Sequence, residues 1–493
     1  MNNFKQLAGQ LIMIRFPGTE LDCATADFLR ENTVRGVCLF RGNMANAEQL
    51  TRLTTDLRAV MGPEALIAID QEGGAVVRST WVPAPPAAMG LGAADDLELA
   101  GSVGAAVARA VKAMGFNWNF APVLDLNNNP DNPVIAERSF GADPQRATDL
   151  AMAWMAGSET EGVACCVKHF PGHGDTHVDS HRDLPTVDKG LAELEAFEFK
   201  PFRLAGNRAP ALMTAHIVYP ALDAEFPATM SRRILHDLLR EEWDYRGVII
   251  TDGMDMHAIA GRYGAGPAAV RALLAGADMV MALGTPETQA ETISAIAEAI
   301  ESGALPMDEV NTRLKRLSAL AQAYPCQAQE YTMDVADRVL MAHAWRRCLT
   351  ARGNPQRPKP GAKVRLVVRQ DVVSDGVSEA GVPAAVVAAS LGRLYDVDLV
   401  TFLDSETFDW ESLPDDGRFV FLASTSRLRY GPNARATWAP DLHLALWNPY
   451  QALDIHAPAL ITYGFAAPAL DAVDAWLAGT LEAKGKCPVP GFE

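Results

Sequence analysis

The chain reads as an α/β protein in which a TIM-type (β/α)8 barrel is followed by a smaller open-sheet α/β domain. Three observations lead there. Eight short apolar runs, separated by stretches with helical spacing, fill the first two-thirds of the 493 residues. Polar residues able to carry chemistry gather at the ends of those runs. A basic segment containing Pro and Gly then sets off a second group of strand-like runs.

The eight runs are Leu11–Ile14, Val34–Phe40, Ala65–Asp70, Phe116–Leu124, Gly162–His169, Ala211–Ile217, Gly247–Asp252 and Asp278–Leu283. They are too continuously apolar for half-exposed strands, so parallel strands buried on both faces fit. The first is short enough to be helical instead. Intervening stretches such as Leu97–Met114 and Met230–Glu242 have helical spacing, and eight such units span about the 250 residues typical of the barrel, with insertions. The barrel is expected over residues 1–345 and a linker over 346–362, where the basic, Pro- and Gly-containing stretch TARGNPQRPKPGAK begins at Thr350. In the domain expected over 363–493, strands are predicted at Val364–Arg369, Asp398–Leu403, Phe419–Ser424, Leu442–Trp447 and Leu460–Tyr463. Helices are predicted at Ala384–Leu394 and Ala466–Leu477, which gives an open α/β sheet.

Composition narrows the function. Apolar residues make up 49% and charged residues 21% of the chain, as in ordinary globular proteins. A formal charge of −18 disfavours nucleic acid and anionic membrane surfaces as partners. The seven cysteines are scattered apart from Cys165 and Cys166, with neither a disulfide framework nor a C-x-x-C metal site. No apolar stretch approaches a membrane span, and the N-terminal residues are too polar for a signal peptide, so a cytoplasmic location is expected.

Asp70, Asp125, Lys168, His169, His216 and Asp252 lie at or just past the C-terminal ends of the runs, the face on which barrel enzymes build active sites. Any one aspartate there is also a good helix N-cap; six polar groups together are not explained that way. The segment Lys168–His181, KHFPGHGDTHVDSH, holds four of the ten histidines at four-residue spacing. On a helix that spacing would suggest a metal site, but Pro171, Gly172 and Gly174 argue for a loop instead. Within it, Asp179 stands two residues before His181, where a carboxylate can orient an imidazole and stabilise its charged form.

This segment resembles the loop of bacterial β-N-acetylglucosaminidases of glycoside hydrolase family three, whose pattern KHFPGHGDT-x-x-DSH is matched at every fixed position. DQEGG at Asp70–Gly74, NWNFAPVLDLNNNPDNPVIAERSFG at Asn117–Gly141, MTAHIVYPALD at Met213–Asp223 and GVIITDGMDM at Gly247–Met256 are similar too. A weaker likeness continues into LWNPYQALD and GKCPVP near the C-terminus. The resemblance implies Asp252 as nucleophile, His181 as general acid/base and Asp179 as its charge partner. It further implies that Asp70, Arg78, Arg138, Lys168 and His169 hydrogen-bond a terminal N-acetylglucosamine, with no metal and no cofactor. Two departures stand out: Ala75 replaces a basic residue of the family's DQEGGRV, and Gly253 follows the nucleophile, which is expected to leave Asp252 freer to move.

The implied substrate is a small GlcNAc-terminated carbohydrate, from muropeptides of cell-wall recycling or from chitin. A phosphorylase on the same scaffold is the nearest rival, because a neutral imidazole repels phosphate less than a carboxylate would. A metal-dependent barrel hydrolase and a non-catalytic sugar-binding protein are further alternatives. The C-terminal domain holds no matched catalytic residue, so its loss is expected to cost stability rather than the assembly of the catalytic groups.

Overall fold

All eight expected runs form strands in the structure, a computed structural model that describes residues 2–177, 184–329, 331–374 and 376–492. They are β1 (Ile12–Ile14), β2 (Gly36–Cys38), β3 (Leu66–Ile69), β4 (Trp118–Asn119), β5 (Ala164–Phe170), β6 (Ala211–Thr214), β7 (Val248–Gly253) and β8 (Met279–Ala282). Nearly every residue in them is buried, as strands covered on both faces must be. Every pairing is parallel, and β1 closes the barrel against β8 through Ile12↔Val280 and Ile14↔Ala282. β1 is a strand, preceded by the helix Asn2–Gly9.

β4 is regular over only two residues of its apolar run. Pro122 cannot donate to a ladder, and asparagine amides take over part of the pairing. Asn117 Oδ1 accepts from the Ile67 N–H at 2.8 Å, and Asn119 Oδ1 accepts from the Gln71 N–H at 3.0 Å. Side-chain caps start several outer helices: Asp22 caps Cys23–Asn32, Asn46 caps Ala47–Met61, and Thr285 caps Pro286–Glu301. The stretch expected to be helical at Met230–Glu242 is wound as a π-helix over Arg233–Glu242, burying Ile234, Leu235, Leu238 and Leu239.

The residues fall into two compact units. The first comprises Met1–Gln71, Gly104–Leu126 and Ala151–Met333, and so contains all the barrel strands. The second comprises Glu72–Val103, Asn127–Leu150 and Asp334–Glu493, so the loops that follow β3 and β4 group with the C-terminal part of the chain.

The second unit is organised by a six-stranded sheet: β9 (Thr350–Arg352), β10 (Lys363–Arg369), β11 (Asp396–Phe402), β12 (Phe419–Ser424), β13 (Leu442–Ala445) and β14 (Ala459–Ile461), in the order β9-β14-β13-β12-β10-β11. Its five central and far strands are parallel and correspond to the predicted ones, while β9 pairs antiparallel with β14. β9 lies in the stretch whose composition reads as linker; three residues with no apolar run give no strand signal, and the exposed edge of β14 supplies the pairing. Alternate residues of β10 serve different cores. Val364, Leu366 and Val368 pack with the helices Ala384–Leu391 and Ala467–Leu477, whereas Val367 joins Phe402, Tyr430 and Trp438. Ala445, Ala459 and Ile461 pack against Ala87, Met89 and Ala93, from the loop after β3. Among the described residues no helix is long and apolar enough to cross a membrane.

Below the barrel strands, the buried Asp278 fastens β8 to its neighbours. Its carboxylate accepts from Arg240 at 2.5 Å, from Arg316 at 2.9 Å and from the Ile249 N–H at 2.8 Å. Asp278→Ala leaves the buried Arg240 guanidinium without this counter-charge, and breaking such a pair from one side costs about 3–5 kcal/mol. Urea unfolding monitored by tryptophan fluorescence is expected to show that loss as a lower midpoint with an unchanged slope; a midpoint equal to wild type would contradict the assignment.

Candidate active site

Four of the six polar residues expected at strand ends form two tight pairs in the barrel unit. Lys168, on β5, donates from Nζ to Asp70 Oδ1 at 2.7 Å, just past β3. The lysine side chain is only 3% exposed, so its ammonium depends on this carboxylate for charge compensation. The next residue, His169, is held through Nδ1 by Asp125 Oδ2 at 2.6 Å. Asp125 is wholly buried, and its other oxygen accepts from the backbone N–H groups of His169 at 3.1 Å and His173 at 2.6 Å. Burial alone would raise the Asp125 carboxyl, yet His169, His173 and these hydrogen bonds outweigh it and hold the group below its usual value.

His173 is buried as well, and burial together with the nearby His169 pushes its imidazole down to about 4. It is therefore neutral near neutral pH, with Nδ1 3.0 Å from Thr176 Oγ1. As expected, the described residues that follow β5, 171–177, form turns and not a helix. Gly174 is required there, because a Cβ would lie 1.5 Å from the Leu126 carbonyl oxygen. Beyond it, Asp175 Oδ2 receives Lys189 Nζ at 2.7 Å, and the same ammonium reaches Glu198. Asp179 and His181, the expected charge partner and acid/base, lie outside the described residues.

Asp252 sits near the end of β7, and its Oδ1 accepts from the Gly253 N–H at 2.7 Å. The buried His216 fastens the far side of that glycine: Nε2 donates to the Gly253 carbonyl at 2.9 Å, and Nδ1 lies 2.8 Å from Thr229 Oγ1. Both backbone polar groups of Gly253 are thus engaged, which counters the expectation that a glycine here loosens Asp252. Asp70 just past β3, Lys168 and His169 near the end of β5, and Asp252 near the end of β7 all stand at the C-terminal ends of strands of one closed parallel barrel. Nucleophile candidate, lysine pair and histidine pair therefore share that end of the barrel unit. Its arrangement offers a carboxylate together with several N–H donors, suited to a polyhydroxylated ligand.

Arg78 and Arg138 belong to the second unit. Arg138 makes a two-pronged pair with Glu72, Nε to Oε2 at 2.9 Å and Nη2 to Oε1 at 2.8 Å, with both side chains buried. Arg78 pairs with Glu379 at 2.9 Å. Ala75, at the family's basic position, is buried. Among the described residues no three His, Cys, Asp or Glu side chains are grouped to hold a metal ion.

Sequence reasoning placed Asp125 and His216 at strand ends without giving either a task. The available signal was weak: Asp125 follows a run that ends in Val-Leu, and only the fold brings it to His169. His216 is legible solely as the histidine of MTAHIVYP.

Comparison with known proteins fits this geometry. The profile of the glycosyl hydrolase family 3 N terminal domain matches residues 5–320. A β-hexosaminidase of Chromobacterium violaceum is 38% identical over 66% of this chain and 91% of its own length. β-Hexosaminidase A of Pseudoalteromonas piscicida is 32% identical over 73% of this chain, which spans 62% of that protein's length. A solved family 3 β-N-acetylglucosaminidase from Paenibacillus sp. superposes with a TM-score of 0.88 at 31% identity, covering 99% of this chain and 98% of the other. The chain belongs to glycosyl hydrolase family 3 and is a glycosidase.

Proposed function

We propose that this glycosidase is a retaining β-N-acetylglucosaminidase that removes terminal GlcNAc, with Asp252 as nucleophile and His181, assisted by Asp179, as general acid/base. The observation that carries this reading is the barrel end shared by Asp252 and the Lys168–Asp70 and His169–Asp125 pairs. Asp70, Lys168 and His169 bind the sugar's hydroxyls, and Arg78 and Arg138 add guanidinium donors. In the first step the Asp252 carboxylate attacks the anomeric carbon while His181 protonates the departing oxygen. In the second, His181 takes a proton from water as that water displaces Asp252.

Two features of the loop support His181 over its neighbours. His173 is neutral, with its imidazole pushed down to about 4, and so has no proton to give near neutral pH. Asp175 is bound to Lys189. The substrate we propose is the GlcNAc-anhydromuramic acid portion of muropeptides, met in the cytoplasm. Five of the seven cysteines are buried, which agrees with a reducing compartment.

Asp252→Asn keeps the hydrogen-bond acceptor for Gly253 but cannot form a glycosyl-enzyme. Turnover of a nitrophenyl N-acetyl-β-glucosaminide is expected to fall by roughly 10³-fold or more with folding unchanged. Labelling of wild type by a fluorosugar should mark the peptide containing Asp252; a label on Asp255 would overturn the assignment.

His181→Ala should be severely impaired on disaccharides, whose alkoxide leaves poorly, and largely spared in the first step with a nitrophenol leaving group. The glycosyl-enzyme then accumulates, seen as a burst, and azide restores turnover because it needs no deprotonation. Equal slowing of both substrates with no azide rescue would remove His181 from the role. Running wild type in phosphate and scoring GlcNAc-1-phosphate against free GlcNAc separates hydrolysis from phosphorolysis.

A further inference from the structure

In the second unit, residues from the C-terminal third of the chain hold the segments that carry Arg78 and Arg138. Glu379 grips the first of these twice. Its backbone N–H donates to the Ala75 carbonyl at 2.9 Å, and its Oε1 accepts from Arg78 Nη1 at 2.9 Å. The second is held through Glu137, the residue before Arg138 in the 3-10 turn Ala136–Arg138. Glu137 is fully buried, and its Oε1 accepts from Trp447 Nε1 at 2.7 Å and from Arg427 at 3.1 Å. Arg427 also donates to Ser378 Oγ, while Asn448 Nδ2 donates to the Arg427 carbonyl at 2.7 Å. Tyr450 donates to Asn127 Oδ1 at 3.1 Å, and Asn127 Nδ2 donates in turn to the Ala136 carbonyl at 2.8 Å. The Trp447–Tyr450 stretch, to which the reaction gives no task, thus converges on the turn that presents Arg138.

We propose that Glu379 and Trp447 are positioning residues for binding of the terminal sugar: Glu379 orients the Arg78 guanidinium, and Trp447, through Glu137, fixes the turn bearing Arg138. The inference rests on the reading that these two arginines hydrogen-bond the sugar. An arginine free to rotate loses that freedom each time ligand binds, which weakens affinity; one already fixed by a carboxylate does not. Because the nucleophile and acid/base are other residues, this ordering acts on ground state and transition state alike. Its loss therefore appears in KM rather than in kcat. The C-terminal residues accordingly serve binding as well as stability, and a chain ending near Pro358 would lack Glu379, Arg427 and Trp447.

The test uses the full-length protein and a nitrophenyl N-acetyl-β-glucosaminide. Glu379→Gln preserves the shape of a partly exposed side chain, so the fold is retained, while the charge that aligns Arg78 is lost. Trp447→Phe keeps an aromatic ring, removes the Nε1 donor to Glu137 and leaves a small gap, so some stability is lost with the donor. Each is expected to raise KM about five-fold, with kcat within about two-fold of wild type. The inhibition constant of free GlcNAc should rise in parallel, and the thermal midpoint of Glu379→Gln should stay near wild type. In an Arg78→Ala background Glu379→Gln should add nothing, and in an Arg138→Ala background neither should Trp447→Phe. If Arg78→Ala and Arg138→Ala leave KM unchanged, the sugar-binding reading fails and this inference with it. If those variants raise KM but Glu379→Gln and Trp447→Phe do not, or raise it equally in both backgrounds, positioning is overturned while the sugar-binding reading stands.

Discussion

A carboxylate buried without compensation is among the most costly groups a protein interior can hold, and Asp125 is such a carboxylate made tolerable by its neighbours. Three N–H groups supply the compensation, one from the backbone of β5 at His169, one from the loop at His173 and one from the His169 ring. Satisfying Asp125 therefore dictates the course of that loop from His169 to His173 and fixes the plane of the His169 imidazole. With Nδ1 committed to Asp125, Nε2 is the ring nitrogen left to face another partner. The adjacent Lys168 is oriented in the same stroke, because its backbone belongs to the strand that Asp125 anchors.

A similar division of labour recurs at β7. His216 holds the carbonyl of Gly253 while Asp252 accepts its N–H, so the residue after the proposed nucleophile is clamped on both sides. In neither case does the clamping residue need to touch a ligand to matter. A buried histidine whose Nε2 must donate, because a carbonyl can only accept, defines the backbone as firmly as a turn would. The barrel thus presents the proposed nucleophile from a strand end that side chains, rather than loop flexibility, keep in place.

The fold was legible because burial on both faces imposes continuous apolar runs, and each of the eight barrel strands coincides with one of the runs that sequence marks, β5 and β7 ending one residue beyond theirs. What escaped were elements held by something other than apolar content. β4 is short because asparagine amides and Pro122 interrupt its ladder, and β9 exists because an edge of the sheet was available to Thr350–Arg352. The individual strand-end residues were equally legible, but their partners were not. Nothing in the spacing pairs Lys168 with Asp70 or Arg78 with Glu379, since those contacts are set by strand neighbours and by packing. Motif resemblance singled out the arginines and gave no role to Glu379, Glu137 and Trp447, whose hydrogen bonds run to other side chains and to the backbone.

The second unit is discontinuous along the chain, and that has a consequence for how the protein is made. The helix Ala88–Ala94 leaves the ribosome early, yet the apolar residues that cover Ala87, Met89 and Ala93 lie between Cys348 and Val489. At about 5–20 residues per second, that face waits on the order of tens of seconds for its cover to be synthesised. Through that interval the barrel strands can pair in order of emergence while the loop after β3 stays uncovered. Until the last strands of the C-terminal sheet appear, that face of the nascent chain stays open to solvent.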